Sequence, residues 1–365
     1  MINKQSIYYW FFFPLLALLS AGSLTSCIYD SVLEEEDTSG KSTLSITMRG
    51  ITTTDPGPSG SYDDYVKTLR VIGYDNTGTV VCNQKYSGEE LGSVEGTDPN
   101  TYIEITQTLE DAFQGGVCDF YFIANEDGYY VYTDEQAGDA LSAFLGISGN
   151  LEQAPSKDAL DKCVIATPTG IATLGSSPIL MTTSVRSTLK PGDNTINNIE
   201  LVRCFAKVQL LLKVEDNGTV SEPTNVELSV PAPISFYLLP GKEEEITSTT
   251  NLSYTVAKSE DNSLMNTELK ADDYFFISKV VYLPERYLSN LTNTQDNAVK
   301  YQITLDKAYE VPIADNTTGN LDYSIKRNYA YTTIGTYAPA SEASVRLEWQ
   351  VTPYTPVNVD VPTFE

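Results

Sequence analysis

Histidine is missing from all 365 residues of the chain. That absence removes Ser-His-Asp and Cys-His nucleophile systems, histidine general bases and histidine-bound zinc together. Cysteine is scarce: Cys27, Cys82, Cys118, Cys163 and Cys204 are the five, and no two stand in C-x-x-C spacing. Zinc-ribbon and thioredoxin-like chemistry therefore lack a ligand set. Positive charge is thin, with 23 Lys plus Arg against 49 Asp plus Glu and a formal net charge of −26. Such a surface repels phosphate backbones and anionic lipid heads, which argues against nucleic acid as a partner and makes acidity a matter of solubility. A carboxylate pair of the glycosidase kind is chemically available. Among so many acids no motif singles out one pair, so the composition speaks against an enzyme, and no cofactor or metal is called for. Helical periodicity is nearly absent; only Asp139 to Leu145 and Lys157 to Cys163 carry it, and both stretches are short.

What is present begins at the N-terminus. Lys4 precedes an apolar stretch from Tyr8 to Leu19, followed by small residues and Leu24-Thr25-Ser26-Cys27. A short apolar region ending in small residues reads as a secretory signal, because a membrane span needs about 20 apolar residues. Leu-Thr-Ser-Cys resembles a bacterial lipobox. Cys27 would then take a diacylglyceryl group on sulfur, and the chain would be cut before it and acylated on the new amine, a stable anchor because it has more than one acyl chain. The alternative is an ordinary signal peptide that contains a cysteine. Residues 1–26 are thus read as a lipoprotein signal peptide. Ile28 to Gly40, with Glu34-Glu35-Glu36-Asp37 inside it, is too acidic to bury itself and reads as a solvated tether. Of the remaining cysteines, Cys82, Cys118, Cys163 and Cys204 can form two disulfides in any of three pairings, or none if they are small buried hydrophobes.

Period-two alternation dominates the rest. Its clearest case is Val345-Arg346-Leu347-Glu348-Trp349-Gln350-Val351, with one face for a core and one for water. Similar runs are Leu44 to Met48, Thr68 to Tyr74, Tyr102 to Leu109, Asp119 to Ala124, Val202 to Leu212, Tyr274 to Tyr282 and Lys300 to Leu305. Asp75-Asn76-Thr77-Gly78 lies between two strand-like runs and is a hairpin candidate. Spaced strands with turn signals predict an all-β chain of sandwiches or barrels. Pro191-Gly192-Asp193-Asn194 is the best boundary between two stretches of comparable size, giving domains at 50–194 and 195–365 behind a segment at 27–49.

Both ends of that β-rich region carry a strand with one apolar face. At the front it is Leu44, Ile46 and Met48; at the back it is Val357, Val359 and Val361. Two ordinary terminal strands would show the same pattern. The sharper reading is that they are exchangeable, one withdrawn and its place taken by a strand of another molecule.

Several segments carry a family resemblance. Val66-Lys67-Thr68-Leu69-Arg70-Val71-Ile72-Gly73-Tyr74-Asp75 looks like the opening strand of a first domain, and Phe120-Tyr121-Phe122-Ile123-Ala124-Asn125 like a strand ending in Ala-Asn. Leu201-Val202-Arg203-Cys204-Phe205-Ala206-Lys207-Val208 looks like the Arg-x-x-Ala-Lys strand opening a second domain, and Ile325-Lys326-Arg327-Asn328-Tyr329-Ala330-Tyr331 like an Arg-Asn-x-x-Tyr segment before a final hairpin. In order and spacing, and together with a lipobox, these resemble the fimbrillins of Bacteroidales, the type V pilins. Pro353-Tyr354 departs from the tryptophan expected near the last strands.

The resemblance implies two tandem β-sandwiches of the transthyretin-like, Greek-key kind. It implies an outer-membrane lipoprotein precursor whose N-terminal strand is removed by an Arg- or Lys-specific protease. The groove then takes the C-terminal strand of another copy or a related subunit, building a surface fimbrium that serves adhesion. Carried onto this chain, Arg49-Gly50 is the processing site, Leu44, Ile46 and Met48 the removable strand, and Val357, Val359 and Val361 the donor. The alternative for Arg49 is a solvated side chain on a strand's outer face. Other expectations are an anchor subunit that keeps its strand and lipid, a tip subunit, or a glycan-binding surface lipoprotein using tyrosines such as Tyr129, Tyr130 and Tyr132.

Overall fold

A computed structural model describes residues 42–49, 62–94, 102–109, 113–134, 136–168, 177–215, 220–232, 235–242, 244–246, 250–338 and 344–353. In chain order the first half supplies β1 (Thr43–Arg49), β2 (Thr68–Asp75), β3 (Val80–Ser87), β4 (Gly92–Val94), β5 (Tyr102–Thr108) and β6 (Gly116–Ala124). It continues through β7 (Tyr130–Thr133), β8 (Gln136–Ala140), β9 (Val164–Ala166), β10 (Met181–Leu189), β11 (Asp193–Glu200) and β12 (Val202–Arg203). The second half supplies β13 (Phe205–Val214), β14 (Asn225–Ala232), β15 (Ser235–Tyr237), β16 (Thr250–Thr255) and β17 (Phe276–Ile277). It ends with β18 (Val281–Pro284), β19 (Lys300–Thr304), β20 (Ala308–Pro312), β21 (Tyr329–Ala338) and β22 (Ser344–Pro353). The α-helices described are α1 (Leu141–Phe144) and α2 (Lys157–Asp161), four and five residues long. The fold is all-β, as the alternation predicts.

Two sheets sandwich the first core. One runs β11-β1-β5-β4 and the other β12-β10-β6-β2-β3. Leu44, Ile46, Met48, Ile105 and Ile199 of the first sheet meet Leu69, Val71, Phe120 and Phe122 of the second. The second sheet is covered on both faces, because Ile72, Tyr74, Tyr121 and Ile123 point away from that core into another. This is why Thr68 to Tyr74, read as an alternating run with one wet face, is instead buried throughout. The Asp75-to-Gly78 turn closes the β2–β3 hairpin: Asp75 Oδ1 accepts the Thr77 and Thr79 amides, and Gly78 supplies a φ of +85°.

The second half repeats the layering with sheets β17-β13-β21-β22, where β18 also pairs with β13, and β16-β14-β19-β20. Val208, Leu210, Val226, Leu228, Tyr301 and Ile303 fill the space between them. Val202 to Leu212 is not one strand. It breaks at Cys204 into β12, which stays with the first half, and β13, which opens the second. Tyr274 to Tyr282 likewise divides into β17 and β18. The Pro191-to-Asn194 turn joins β10 to β11, and β11 lies beside β1, so with β12 the strands of the first half continue to Arg203. A small sheet, β15-β9-β7-β8, takes β15 from beyond that turn and pairs it with β9.

Candidate functional site

The most distinctive feature is how β1 is seated. Its alternation puts Leu44, Ile46 and Met48 on the inner face, each at 0% exposure, while Thr43, Ser45 and Thr47 are half-buried on the other. β1 is not an edge strand. It runs parallel to β11 on one side and antiparallel to β5 on the other, Ile46 facing Ile196 and Ile105. Ser42 closes its start: its carbonyl accepts Leu109 N at 2.9 Å and its Oγ accepts Gly192 N at 3.2 Å. Thr43 N donates to Gly192 O at 3.2 Å, and Asn194 Nδ2 donates to Thr43 O at 3.4 Å. β1 therefore supplies ladder bonds to two neighbours and three side chains to the core. Burying those side chains stabilises the fold by roughly 1.5–3 kcal/mol each.

Arg49 is the last residue of β1, paired in register with Tyr102 and Glu200. Gly50, Cys27 and the C-terminal Val357, Val359 and Val361 lie outside the described residues. After a gap the described chain resumes at Tyr62, and from there it is held by polar contacts that owe nothing to β1. Tyr282 donates its hydroxyl to Asp63, which also pairs with Lys207, and Arg203 pairs with Asp64. Arg203 Nε donates to Asp63 O at 2.9 Å, and Nη1 donates to Asn328 Oδ1 at 3.0 Å. Burial holds Lys207 below lysine's usual pKa, with Asp63 opposing that shift. Asn125, in the left-handed region with φ +61°, accepts Lys67 N on Oδ1 at 2.8 Å and donates Nδ2 to Tyr65 O and Ile179 O, each at 2.8 Å.

Two further buried pairs stiffen the halves. Arg70 and Glu126 form a two-pronged pair at 2.7 Å for each bond, with Asn83 accepting from Arg70 Nη1 at 2.9 Å. Arg327 Nε donates to Glu285 Oε2 at 2.6 Å, and Nη1 reaches Leu238 O at 3.1 Å. Arg70, Asn125, Arg203, Arg327 and Asn328 belong to the segments that carry the family resemblance. Three of those segments read from sequence as strands and the last as a segment before the final hairpin, and alternation does not reveal these polar locks. The available signal was an arginine inside an otherwise apolar run, as in Leu201-Val202-Arg203-Cys204-Phe205.

Cys82, Cys118, Cys163 and Cys204 are buried free thiols, and burial raises their pKa values to about 12, 11, 12 and 11. They serve as small core hydrophobes. Among the described residues no cluster of His, Cys, Asp or Glu could hold a metal ion. Of the tyrosines weighed as a sugar platform, Tyr129 is buried and accepts Leu180 N on its hydroxyl, whereas Tyr130 is exposed. A cavity of about 400 Å³ opens between β3 and β5, lined by Gln84, Tyr86, Thr106, Gln107 and neighbours, and Tyr86 donates to Gln107 Oε1 at 2.8 Å.

Comparison with known proteins fits this geometry. The family described as major fimbrial subunit protein (FimA) matches residues 42–229, slightly more than half of the chain, beginning at the residue that precedes β1. Among solved structures, the tip fimbrial protein Mfa3 from Porphyromonas gingivalis, with C-terminal truncation, superposes with a TM-score of 0.57 at 15% identity, covering 86% of this chain and 100% of that one. A putative cell adhesion protein from Parabacteroides distasonis gives 0.53 at 14%, covering 88% and 99%. A fimbrial assembly protein from the same species gives 0.52 at 13%, covering 86% and 96%. At these identities the likeness concerns the fold. No curated protein matches the chain in sequence. The chain belongs to the major fimbrial subunit protein (FimA) family.

Proposed function

We propose that this protein is a structural subunit of a surface fimbrium, polymerised by strand exchange and serving adhesion. Export as a lipoprotein places it at the outer membrane through acylated Cys27. An arginine-specific protease cuts between Arg49 and Gly50. β1 then leaves, taking Leu44, Ile46 and Met48 out of the first core and opening a groove between β11 and β5 with two unpaired strand edges. The C-terminal segment of another copy, or of a related subunit, enters that groove with Val357, Val359 and Val361 in the same alternating register and restores the ladder bonds. Such contact is head-to-tail and does not close, so repetition produces a fibre.

The observation that carries this reading is the position of β1: the first described strand is central in its sheet and fully buried on its inner face. Cutting behind Arg49 separates it from a chain whose next described segment is fixed independently through Asp63, Asp64 and Asn125. The processed subunit thus loses one strand while the rest of the sandwich stays tied down.

N-terminal sequencing and intact mass of protein recovered from the cell surface test the proposal. A chain starting at Gly50 without lipid supports a polymerising stalk subunit. A chain still starting at acylated Cys27 means an anchor, and the strand-exchange step is then lost for this protein.

A further inference from the structure

The groove that β1 occupies has one irregular wall. β11 pairs with β1 in register from Thr43↔Asp193 to Ile46↔Ile196, then resumes at Met48↔Ile199. Asn197 and Asn198 therefore stand against Thr47 alone, a β-bulge in a parallel pair. The sequence requires it. Ile196 and Ile199 are three apart and both face the core, which strict alternation does not permit. The extra residue restores the alternation, and Asn198 takes it up in the left-handed region at φ +62°, which asparagine tolerates better than most residues.

A bulge leaves backbone groups off the ladder, and here the partner strand supplies the missing bonds. Thr47 Oγ1 accepts Asn198 N at 3.2 Å and donates to Asn197 Oδ1 at 3.2 Å. One hydroxyl of the departing strand thus satisfies both residues of the bulge. Any strand that replaces β1 meets the same wall, with the Asn198 amide waiting at the position between its second and third apolar residues.

Resting on the strand-exchange reading above, we propose that the Asn197–Asn198 bulge is a specificity element. It selects an incoming strand with a short hydrogen-bonding side chain opposite it, and Asp360 of another copy fills that position. The assignment follows from register. With Val357, Val359 and Val361 at the places of Leu44, Ile46 and Met48, Asp360 stands where Thr47 stood. The incoming strand runs in the direction of β1, since the bulge is built for a parallel neighbour. The Asp360 carboxylate accepts the Asn198 amide, and the Asn197 side chain turns to donate its Nδ2 to the same group. A valine there has the shape of threonine and the strand propensity but gives up both hydrogen bonds and leaves the exposed Asn197 and Asn198 to water, a net loss of about tenfold in affinity for the two bonds.

The test uses the full chain cut after Arg49 with an arginine-specific protease. A fluorescent peptide of the Thr43–Arg49 sequence is titrated into it, alongside Thr47→Val and Thr47→Asp versions. Expected is about tenfold weaker binding for Thr47→Val, and binding within about threefold of the parent for Thr47→Asp; equal affinity of the valine peptide overturns the bulge rule. In parallel, growth of polymer ladders is followed for the wild-type chain and for Asp360→Val and Asp360→Thr. Asp360→Val should slow ladder growth about tenfold and Asp360→Thr should restore it; wild-type growth by Asp360→Val overturns the assignment to Asp360. If the peptides keep their order but no chain polymerises, exchange through the tail fails and the Asp360 assignment falls with it. Equal peptides with normal polymers would sink the bulge rule while strand exchange stands.

Discussion

Ile46→Ala should destabilise the chain only while β1 is covalently present and seated. Ile46 is fully buried in the middle of β1, between Ile196 and Ile105, so truncation removes most of its side chain from the first core. Isoleucine-to-alanine changes at such positions cost about 2–5 kcal/mol, the upper end where the site cannot collapse. β1 is pinned by ladders on both sides, which limits collapse, and the expected loss lies in the upper half of that range.

The assay is urea unfolding of two forms, the uncut chain and the chain cut after Arg49 and passed through a desalting column that removes any strand that has dissociated. In the uncut form the variant should lose about 3.5–5 kcal/mol relative to wild type with an unchanged slope. In the cut form the two proteins have the same sequence, so their curves should coincide. Both should then lie below the uncut wild type, because Leu44, Ile46 and Met48 together contribute roughly 4.5–9 kcal/mol of burial. A variant that differs from wild type by the same amount in both forms would mean that the cut strand stays seated. Processing alone would then not open the groove. An unchanged uncut variant would remove β1 from the energetics of the core altogether.

Arg327→Ala should cost about 3–5 kcal/mol in chemical denaturation, since it strands the buried Glu285 carboxylate, whereas Arg327→Met combined with Glu285→Leu should recover most of the loss. Asp261 accepts from Ser259 and Ser263, which lower its pKa from 3.8 to about 2. A carboxyl depressed in the folded state contributes stability that is present above pH 3.8 and lost as pH falls toward 2. The Asp261→Asn variant should show a flatter stability profile across that window, read by thermal melting in steps of pH. Uncut protein expressed from Ile28, with β1 seated, should take up no iodoacetamide at pH 7.5, because its four thiols are buried with pKa values of about 11 to 12, and should gain four adducts by mass once unfolded.

How much of this was legible in the sequence depended on whether a segment's signal is local. β1, β2, β5, β6, β19 and β22 announce themselves by alternation or by an apolar run, and the structure places them within a few residues of the sequence reading. β11 does not, because the bulge at Asn197 and Asn198 breaks the period that would have revealed it. The break at Cys204 was hidden for the opposite reason. Val202 to Leu212 looks like one strand, but Arg203 turns to Asp63, Asp64 and Asn328, partners far away in sequence. The helical stretch from Asp139 shrinks to Leu141–Phe144, its first residues being claimed by pairing with β7. The inward face of β1 was readable residue by residue. That β1 sits between two partners, parallel to one and antiparallel to the other, was not, since neither β5 nor β11 adjoins it in the chain.

The fold divides its stabilising forces in a way that suits loss of a strand. What β1 contributes is mainly apolar burial and ladder bonding, which a strand with the right alternation can replace. What holds the chain downstream of Arg49 is directional: Asp63 to Tyr282 and Lys207, Asp64 to Arg203, and Asn125 to the backbone of Tyr65 and Lys67. These contacts are specific in geometry, and a strand arriving from elsewhere cannot displace them. Had the roles been reversed, a polar β1 would leave buried charges without partners on departure, at several kcal/mol each. An apolar anchor at residues 62–68 would then compete with the incoming strand for the same exposed core. β1 also makes a few directional side-chain bonds to β11, from Thr43 to Asp193 near its start and from Thr47 to the bulge. On the proposal above, the Thr47 pair is where the groove distinguishes one replacement strand from another.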